Sequence, residues 1–466
     1  MKRECPECAR GGGFPLKGEG FSRRRFLEVA GTGIVASYFA DVFDPRLLRA
    51  QAAPGVLLRN TAKNCIFIFL AGAPSHVDTW DFKEGAWTPA DFAPDTSNGV
   101  RFPRGLMPKT AEHLDKMTFV RSGLAWAAVH QLGQTWAQIA RNPGGATGAI
   151  APHIGAVVSL ESQVKRTPAD VLPAFIALNS GAIPGSGYLP AKYAPFGVQT
   201  ASSGLSTLTH PDGAARFADR WSLLHAIDTN RTSGALGKAS LDMNDFYDQS
   251  KTLMDAPGIN QLFSFSDADH AKYGSSTFGD SLVVARNLVS AGRGTHFVQA
   301  TFGGWDHHSD IYSKDANTSS LYSQCAAFDP AFGALMTDLQ SMPGSVAGAT
   351  IFDETLVVIV AEFGRTTGAL NDQGGRDHFL RMSVAFAGGG TRGGRVIGET
   401  DSTGTDVVSY GWSQNRDIRP EDVTCTIYSA LGIDYTTVRH DDPLNRGFEY
   451  VPFAKDGVYK PIEELW

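Results

Sequence analysis

Residues 64–70 read NCIFIFL and are followed at residues 71–78 by AGAPSHVD. The first seven residues are almost all apolar and β-branched or aromatic, which is typical of a strand buried on both faces of a sheet. Glycine, proline and serine then indicate a loop at the carboxyl end of that strand. The loop carries His76 and Asp78, two residue types that bind metal ions. The stretch therefore predicts a central parallel strand with ligand-type side chains just beyond its end.

Similar apolar segments recur along the chain and alternate with amphipathic ones. Further strands are predicted over residues 296–301, 355–361 and 382–387. Helices are predicted over the intervening or following stretches, which are residues 282–291, 321–342 and 420–431. Because parallel strands need long crossover connections, which are usually helical, this alternation predicts an α/β fold. The expected architecture is a doubly wound, mainly parallel sheet with helices on both faces.

Composition and charge narrow the class of protein. The chain has 466 residues, of which 42% are hydrophobic and 19% are charged, as in an ordinary globular protein. No apolar run reaches the roughly 18 residues that a transmembrane helix needs. The net charge of −7 argues against nucleic acid as a partner, because phosphate binding depends on clustered Lys and Arg. No segment resembles an interdomain linker, and glycine- and proline-rich loops at 142–148 and 181–187 are expected over one edge of a single domain, residues 53–466.

The N-terminal 52 residues have the features of an export signal. Residues 22–27, SRRRFL, precede a charge-free segment from Val29 to Ala40, and residues 50–52, AQA, form a small-x-small cleavage site. Paired arginines followed by Phe-Leu predict a twin-arginine signal peptide over residues 1–52, with the twin-arginine translocase as a partner during export. A membrane-surface helix is the alternative, but the segment lacks an amphipathic period. We therefore expect a periplasmic or otherwise exported protein.

The five cysteines do not form a disulfide framework. Cys5 and Cys8 form a CxxC pair, which is half of a zinc site and would be removed with the signal peptide. Cys65, Cys325 and Cys425 each lie in an apolar stretch. We expect these three to be buried, unreactive thiols.

Carboxylates and imidazoles occur together at three places near predicted strand ends. The three clusters are His76 with Asp78, Asp306 with His308, and Glu362 with Asp377 and His378. Ligands bind at the carboxyl edge of open α/β sheets, so these clusters are expected to meet there. Mixed imidazole and carboxylate ligands suit one or two divalent ions, Zn²⁺ or Mn²⁺, or Mg²⁺ or Ca²⁺ if fewer histidines take part. For any one cluster, a hydrogen-bonded surface loop is the alternative.

Other residues near these clusters have two interpretations each. Arg365 either binds an anionic group as a bidentate clamp or forms an ordinary ion pair with Glu362. His130 and His153 are predicted to lie in loops, where they either support the metal ligands or are ordinary surface or core histidines.

Several sequence blocks resemble one family of exported bacterial proteins. In chain order they are FLAGAPSHVDTWD, GGWDHH, VVIVAEFGRT and GGRDHF, beginning at residues 69, 303, 357 and 374. With further blocks near the C-terminus, they identify the chain as similar to the domain-of-unknown-function-1501 family from about residue 60 onward. That family is placed in the alkaline phosphatase/sulfatase superfamily. The resemblance implies an alkaline phosphatase-like sheet with one or two divalent metal ions at its carboxyl edge.

The resemblance also implies roles for particular residues. Asp306 and His308 would bind at one metal position, and Asp377 and His378 would bind as late ligands. The metal-binding Asp that usually follows the first strand is absent here, where residues 71–73 read AGA. Ser75 or Thr79 would be the nucleophile, and His76 and Asp78 would replace the missing carboxylate.

The sequence supports two functional hypotheses. The first is an exported metal-dependent hydrolase of phosphate or sulfate esters, with a small anionic ester as substrate and Ser75 and Arg365 as catalytic residues. The second is a non-catalytic binding or assembly protein that kept the fold and acts with another exported protein. The absent aspartate favours the second hypothesis, and the four residues retained in GGWDHH and GGRDHF favour the first.

Overall fold

An eight-stranded sheet forms the centre of the fold in the computed structural model, which describes residue 56 and residues 58–230 and 233–466. The predicted signal peptide, with its CxxC pair, lies outside the described residues. In chain order the strands are β1 (Asn64–Leu70), β2 (Met117–Leu124), β3 (Phe175–Leu178), β4 (Phe196–Val198), β5 (Phe297–Phe302), β6 (Thr355–Val360), β7 (Arg381–Gly388) and β8 (Arg395–Ile397). Their order across the sheet is β8-β2-β7-β6-β1-β5-β3-β4.

The sheet is mainly parallel, as predicted. Strand β1 pairs in parallel with both β5 and β6, and the outer pairs β5–β3, β3–β4 and β2–β8 are also parallel. Strand β7 is the exception, because it pairs antiparallel with β2 and β6. The start of β7 therefore lies at the edge where the other strands end, which brings the residues before β7 to the carboxyl edge of the sheet.

Helices cover both faces of the sheet, which confirms the doubly wound α/β prediction. The longer helices are α1 (His130–Ile139), α2 (Ile154–Ser162), α3 (Gly213–Ile227), α4 (Lys238–Asp255), α5 (Thr277–Ser290), α6 (Leu321–Ser341) and α7 (Pro420–Ala430). Alternate residues of β1 enter two different cores: Ile66 and Ile68 pack on the side of α5 and α6. Phe67 and Phe69 pack on the side of α2 and α7. A strand buried on both faces explains the continuous apolar run.

The predicted elements differ from the observed ones in informative ways. The bounds of β1 were predicted correctly, and the predicted helix at 282–291 is the C-terminal part of α5. Strand β2 reads MTFVRSGL, and its Thr, Arg, Ser and Gly residues hide the apolar pattern. His130 was expected in a loop but is the first residue of α1. Because β2 escaped detection, the position of His130 beyond the end of that strand also went unnoticed.

Short ladders and helices complete the described structure. The two-residue strands Gly364–Arg365 and His378–Phe379 pair antiparallel, so that Arg365 lies opposite His378. Three further small ladders pair Asp95–Ser97 with Val100–Phe102, Glu399–Thr400 with Val407–Ser409, and Val438–Arg439 with Phe448–Glu449. Short helices occur at Pro108–Ala111, Ile259–Phe263, Asp267–Lys272 and Ile351–Glu354. Within the part of the chain that the structure describes, no helix combines the length and apolarity needed to cross a membrane.

Candidate metal centre

Four side chains from three segments converge at the carboxyl edge of the sheet. They are His130, Asp306, His308 and His378, and one ligand atom from each lies within 4.8 Å of all the others. His130 follows β2 at the start of α1, and Asp306 and His308 follow β5. His378 precedes β7 and reaches the same edge because that strand is antiparallel. The fold thus brings together residues that are up to 248 positions apart in the chain.

A glycine makes the close approach of two of the edge loops possible. Gly72, just after β1, has φ +107°, and a Cβ atom added there would lie 2.7 Å from the backbone nitrogen of Asp306. That distance is too short for any real Cβ contact, and positive φ strains residues with a side chain. The AGA sequence after β1, which departs from the expected aspartate, therefore lets the backbone pass beside Asp306.

Each imidazole of the cluster is oriented by a hydrogen bond at its Nδ1 atom. His308 Nδ1 lies 2.9 Å from Asp377 Oδ1, and His378 Nδ1 lies 2.9 Å from the carbonyl oxygen of Ala128. His130 Nδ1 lies 2.7 Å from Glu362 Oε1. Carboxylate or carbonyl partners at one ring nitrogen are the usual support for histidines that bind a metal through the other. The arrangement turns the three Nε2 atoms toward Asp306 Oδ1, where a shared ligand would lie.

The Nε2 atoms of His308 and His378 face each other at 2.9 Å. The oxygen of Ala128 only accepts hydrogen bonds, so His378 Nδ1 donates to it, and in the tautomer with a single ring proton the lone pair lies at Nε2. The same argument applies to His308, whose Nδ1 donates to the Asp377 carboxylate. Two lone pairs at this separation repel each other unless a proton or a cation lies between or beside them. The donor geometry is thus that of a cation site.

The electrostatics of the cluster also favour positive charge on His130 and His308. Burial alone would raise the pKa of Asp306, but the three neighbouring imidazoles and the Arg365 guanidinium hold it well below its ordinary value. Burial lowers the pKa of His130, yet bonds to Asp306 and Glu362 outweigh burial and raise this pKa to about 9. The bond to Asp306 is also the main reason why the pKa of His308 is raised. A carboxylate that stabilises protons on its neighbours would equally stabilise a metal cation.

The cluster opens to solvent. The Asp306 side chain is 46% exposed, and those of the three histidines are 23–26% exposed. Structural metal sites are closed by their ligands, whereas catalytic sites keep a position open for water or substrate. Three imidazole nitrogens with one carboxylate oxygen suit Zn²⁺ or Mn²⁺ better than Mg²⁺ or Ca²⁺, which take mostly oxygen ligands. The residues present therefore fit the divalent ion that the family resemblance implies.

Arg365 supports the cluster and does not have the geometry of the predicted anion clamp. Its side chain is 1% exposed. The guanidinium donates to three backbone carbonyl oxygens, those of Gly72, Ala73 and Arg376. Its other two N–H groups reach Asp306 Oδ1 at 2.5 Å and His308 Nε2 at 3.3 Å. All five donors of an arginine are thus used within the protein, and none is left for a phosphate or sulfate group.

His76 and Asp78 do not join the cluster, contrary to the sequence prediction. Asp78 is fully buried and accepts from the Arg376 guanidinium at 2.7 Å and from the Tyr312 hydroxyl at 2.7 Å. His76 is 2% exposed, and its ring nitrogens lie 3.2 Å from the oxygen of Gly404 and 3.5 Å from a backbone nitrogen. Burial lowers the pKa of His76. Both residues therefore hold the loop after β1 in place.

The two hydroxyls proposed as nucleophiles, those of Ser75 and Thr79, are buried in the segment that follows β1. Thr79 Oγ1 donates to the carbonyl oxygen of Ser75 at 2.7 Å, so this hydroxyl is committed to the backbone. Ser75 is 2% exposed, and its Oγ has no hydrogen-bond partner among the described residues. An activated serine needs a base within hydrogen-bond reach. The structure shows no such base for Ser75.

Glu362 and Asp377, which the sequence placed among the metal ligands, lie behind the cluster. Glu362 is buried, and its Oε1 accepts from Gly72 N, Gln134 Nε2 and the His130 ring. Asp377 Oδ1 accepts from the His308 ring and from Asn371. Both carboxylates therefore orient imidazoles instead of occupying the shared ligand point.

His130 and His153, each of which had two interpretations from the sequence, have different places in the structure. His130 joins the cluster, and the signal that could have found it is its position in the segment that follows β2. His153 is fully buried, accepts from Gly155 N at the start of α2, and packs on Phe175. Burial lowers the pKa of His153 to about 3. It is a core histidine that caps a helix.

The family resemblance is confirmed by comparison with known proteins. A family described as "Protein of unknown function (DUF1501)" matches residues 62–448. The chain belongs to the DUF1501 family. No curated protein matches the chain significantly. The description of the family names no activity.

Solved structures also match this DUF1501 chain. Ps i-CgsB is 11% identical, with 86% of this chain and 77% of that chain covered and a TM-score of 0.41. A protein in the alkaline phosphatase superfamily from Vibrio parahaemolyticus is 12% identical, with 84% and 76% covered and a TM-score of 0.35. The lipoteichoic acid synthase LtaP from Listeria monocytogenes is 10% identical, with 87% and 80% covered and a TM-score of 0.39.

Proposed function

We propose that this protein is an exported, metal-dependent hydrolase of phosphate or sulfate esters. One observation carries the proposal: three oriented imidazole Nε2 atoms and the Asp306 carboxylate converge on a single point that solvent can reach. Zn²⁺ or Mn²⁺ is the ion that this donor set favours. A small anionic ester is the proposed substrate.

The residues of the site have two roles: some would hold the cation, and others orient the side chains that hold it. A divalent cation bound here would supply Lewis-acid chemistry, polarising an ester oxygen and making water more acidic. Asp306 and the three histidines hold the positive charge in place, while Glu362 and Asp377 fix the tautomers of His130 and His308. Arg365 holds the Asp306 carboxylate toward the ligand point.

Two groups remain as the attacking nucleophile in this proposal. Ser75 has an unpartnered, buried hydroxyl, which is energetically unfavourable and therefore needs an explanation. Reaction at Ser75 would give a covalent intermediate, but no base is bonded to this hydroxyl. A solvent water that enters the open side of the cluster is the other candidate.

Specific observations favour the second candidate function, a non-catalytic binding or assembly protein. Arg365 has no free donor for an anion, and Thr79 Oγ1 is bonded to the backbone. A metal held by such a site would then stabilise the fold or a contact with another exported protein. Export through the twin-arginine pathway into the periplasm is part of both proposals, since this pathway accepts folded proteins that already hold a metal.

The deciding experiment combines metal analysis with ester hydrolysis. The protein spanning residues 53–466 would be purified, its metal content measured by mass spectrometry, and hydrolysis of 4-nitrophenyl phosphate and 4-nitrophenyl sulfate followed with and without added Zn²⁺ or Mn²⁺. A hydrolase should lose its rate with chelation and in His378→Ala. The matched control is His113→Ala, a half-buried histidine bonded to Gly333 O away from the cluster.

The outcomes separate the candidates. Metal bound near one ion per chain, with hydrolysis above background that His378→Ala abolishes and His113→Ala keeps, would support the hydrolase. Ser75→Ala would then decide the nucleophile, because loss of all rate points to the serine and retention points to water. Bound metal with equal background rates in every variant would refute the hydrolase and support the binding protein.

A further inference from the structure

A second concave site lies beside the metal centre, against one face of helix α1. The cavity has a volume of about 450 Å³, which is within the range of small-molecule sites. One wall consists of Gln131, Gln134, Thr135 and Gln138, which share a face of the helix because they are three or four residues apart. The opposite wall consists of glycine, alanine, isoleucine and proline residues from segments 148–151 and 182–187. Residue 148 and residues 182–187 belong to the two stretches that the sequence predicts as loops over one edge of the domain.

The polar groups of this cavity suit a neutral, hydroxyl-bearing ligand. Gln131 is exposed, so its amide offers both a donor and an acceptor. Thr135 Oγ1 donates its proton to Gln131 O at 2.8 Å, which leaves its lone pairs as acceptors. The Gln134 amide has a carbonyl oxygen and a second N–H beyond the one used by Glu362. These groups form a mixed set in which acceptors are prominent.

Formal charge is absent from the described residues that line the cavity. A phosphate or sulfate group would find no cation there and would meet several acceptor oxygens. The cavity is therefore unsuited to the charged part of an ester, which the metal centre would bind. It is suited to the uncharged alcohol part.

The floor of the cavity is held rigidly. Gln138 is 4% exposed, donates to Gln134 O at 2.9 Å and accepts from Gln299 Nε2 at 3.0 Å. Gln299 lies on β5, the strand that leads to Asp306. Preorganised polar groups cost less to order when a ligand binds.

One side chain connects the cavity to the metal centre. Gln134 lines the cavity and donates to Glu362 Oε1 at 3.0 Å, and the same oxygen lies 2.7 Å from the ring of His130. His130 itself immediately precedes Gln131 on the helix. A ligand seated in the cavity would thus lie next to the side chains that carry the proposed cation.

We propose that this cavity binds the sugar moiety of the substrate, so that the substrate class is phosphate or sulfate esters of carbohydrates. This inference rests on the proposed function and names the substrate class of the same site. Vicinal sugar hydroxyls donate and accept hydrogen bonds, as do the amides and hydroxyl of the helix wall. Peptides are usually recognised by an exposed strand edge or by a groove for a helix, and neither forms this cavity.

Binding of neutral sugars tests the proposal without requiring turnover. A panel of glucose, galactose, mannose, N-acetylglucosamine, lactose and maltose would be titrated against His378→Ala protein, with saturation-transfer NMR and calorimetry as readouts. At least one sugar should bind. Gln131→Leu and Thr135→Val should each weaken that binding about threefold to tenfold, the effect of losing one neutral hydrogen bond. Ala149→Trp, which fills the cavity from an exposed position, should abolish it, whereas the exposed Gln163→Leu should leave it unchanged.

Kinetics separate failure of this inference from failure of the hydrolase. If the hydrolase is correct, the metal-loaded wild type should prefer galactose 6-sulfate or glucose 6-phosphate over the matching nitrophenyl ester. Ala149→Trp should remove that preference, whereas Gln163→Leu, which lies outside the cavity, should keep both the preference and the nitrophenyl turnover. Sugar binding without any turnover would keep the cavity assignment and refute the hydrolase. Absence of binding by the whole panel, equal binding by Ala149→Trp, or binding of uncharged peptides in place of sugars would overturn the assignment.

Discussion

Glu362 offers the sharpest test of the candidate metal centre. Its side chain is fully buried, and its Oε1 accepts from the His130 ring at 2.7 Å. Glu362 would therefore affect metal binding by orienting His130 and not by binding the ion itself. Glu362→Gln preserves the shape of the side chain and removes the negative charge that orients the imidazole. Loss of such a supporting partner typically weakens metal binding by 10- to 100-fold. We therefore expect the dissociation constant for Zn²⁺ or Mn²⁺ to rise by that factor.

The same change has a calculable effect on stability in the presence of metal. At a free metal concentration 100 times the wild-type dissociation constant, binding stabilises the wild type by about 2.7 kcal/mol. A 10- to 100-fold weaker variant would gain only about 1.4 to 0.4 kcal/mol at the same concentration. The metal-dependent part of the free energy of unfolding should thus fall by about 1.3 to 2.3 kcal/mol.

The assay is a chelator-competition titration combined with urea unfolding, each with and without metal. Glu354→Gln is the matched control, since Glu354 is also a mostly buried carboxylate but is bonded to Ser345 and Lys63. It should alter stability equally with and without metal and leave the dissociation constant unchanged. An unchanged affinity in Glu362→Gln, or an equal loss in the control, would refute the assignment of His130 as a ligand.

Three sets of substitutions and one labelling experiment test separate features of the protein. His378→Ala should reduce bound metal below one ion per chain and remove the metal-dependent rise in melting temperature, as measured by mass spectrometry and calorimetry. Glu421→Ala leaves the indole N–H groups of two half-buried tryptophans without their acceptor and should cost about 2–5 kcal/mol in urea unfolding, with Glu421→Gln costing less. The three buried cysteines, whose thiols have raised pKa values because of burial, should react with a disulfide reagent only after unfolding. Replacing Arg23 and Arg24 by Lys should retain the precursor in the cytoplasm, as judged by cell fractionation, because the translocase reads the guanidinium pair.

The sequence by itself determined the fold class, the central strand and some of the residues that meet in the cluster. The NCIFIFL run predicted the central strand within its observed bounds, because a strand buried on both faces has to be apolar at every position. Asp306 and His308 were identified from their spacing and their place after a predicted strand. Local chemistry was sufficient for these features, since each depends on residues close together in the chain.

Tertiary structure alone decided which carboxylates and imidazoles share the ligand point. Asp78 looked like a metal ligand, but its carboxylate is neutralised by Arg376, which is 298 residues away in the chain. The local sequence around His130 does not indicate a metal ligand. The antiparallel pairing of β2 with β7 places His130 beside His378. Whether a polar side chain binds an ion or a neighbouring residue depends on which partner lies within about 3 Å of it. That proximity is set by long-range strand pairing, which the local pattern of the sequence does not encode.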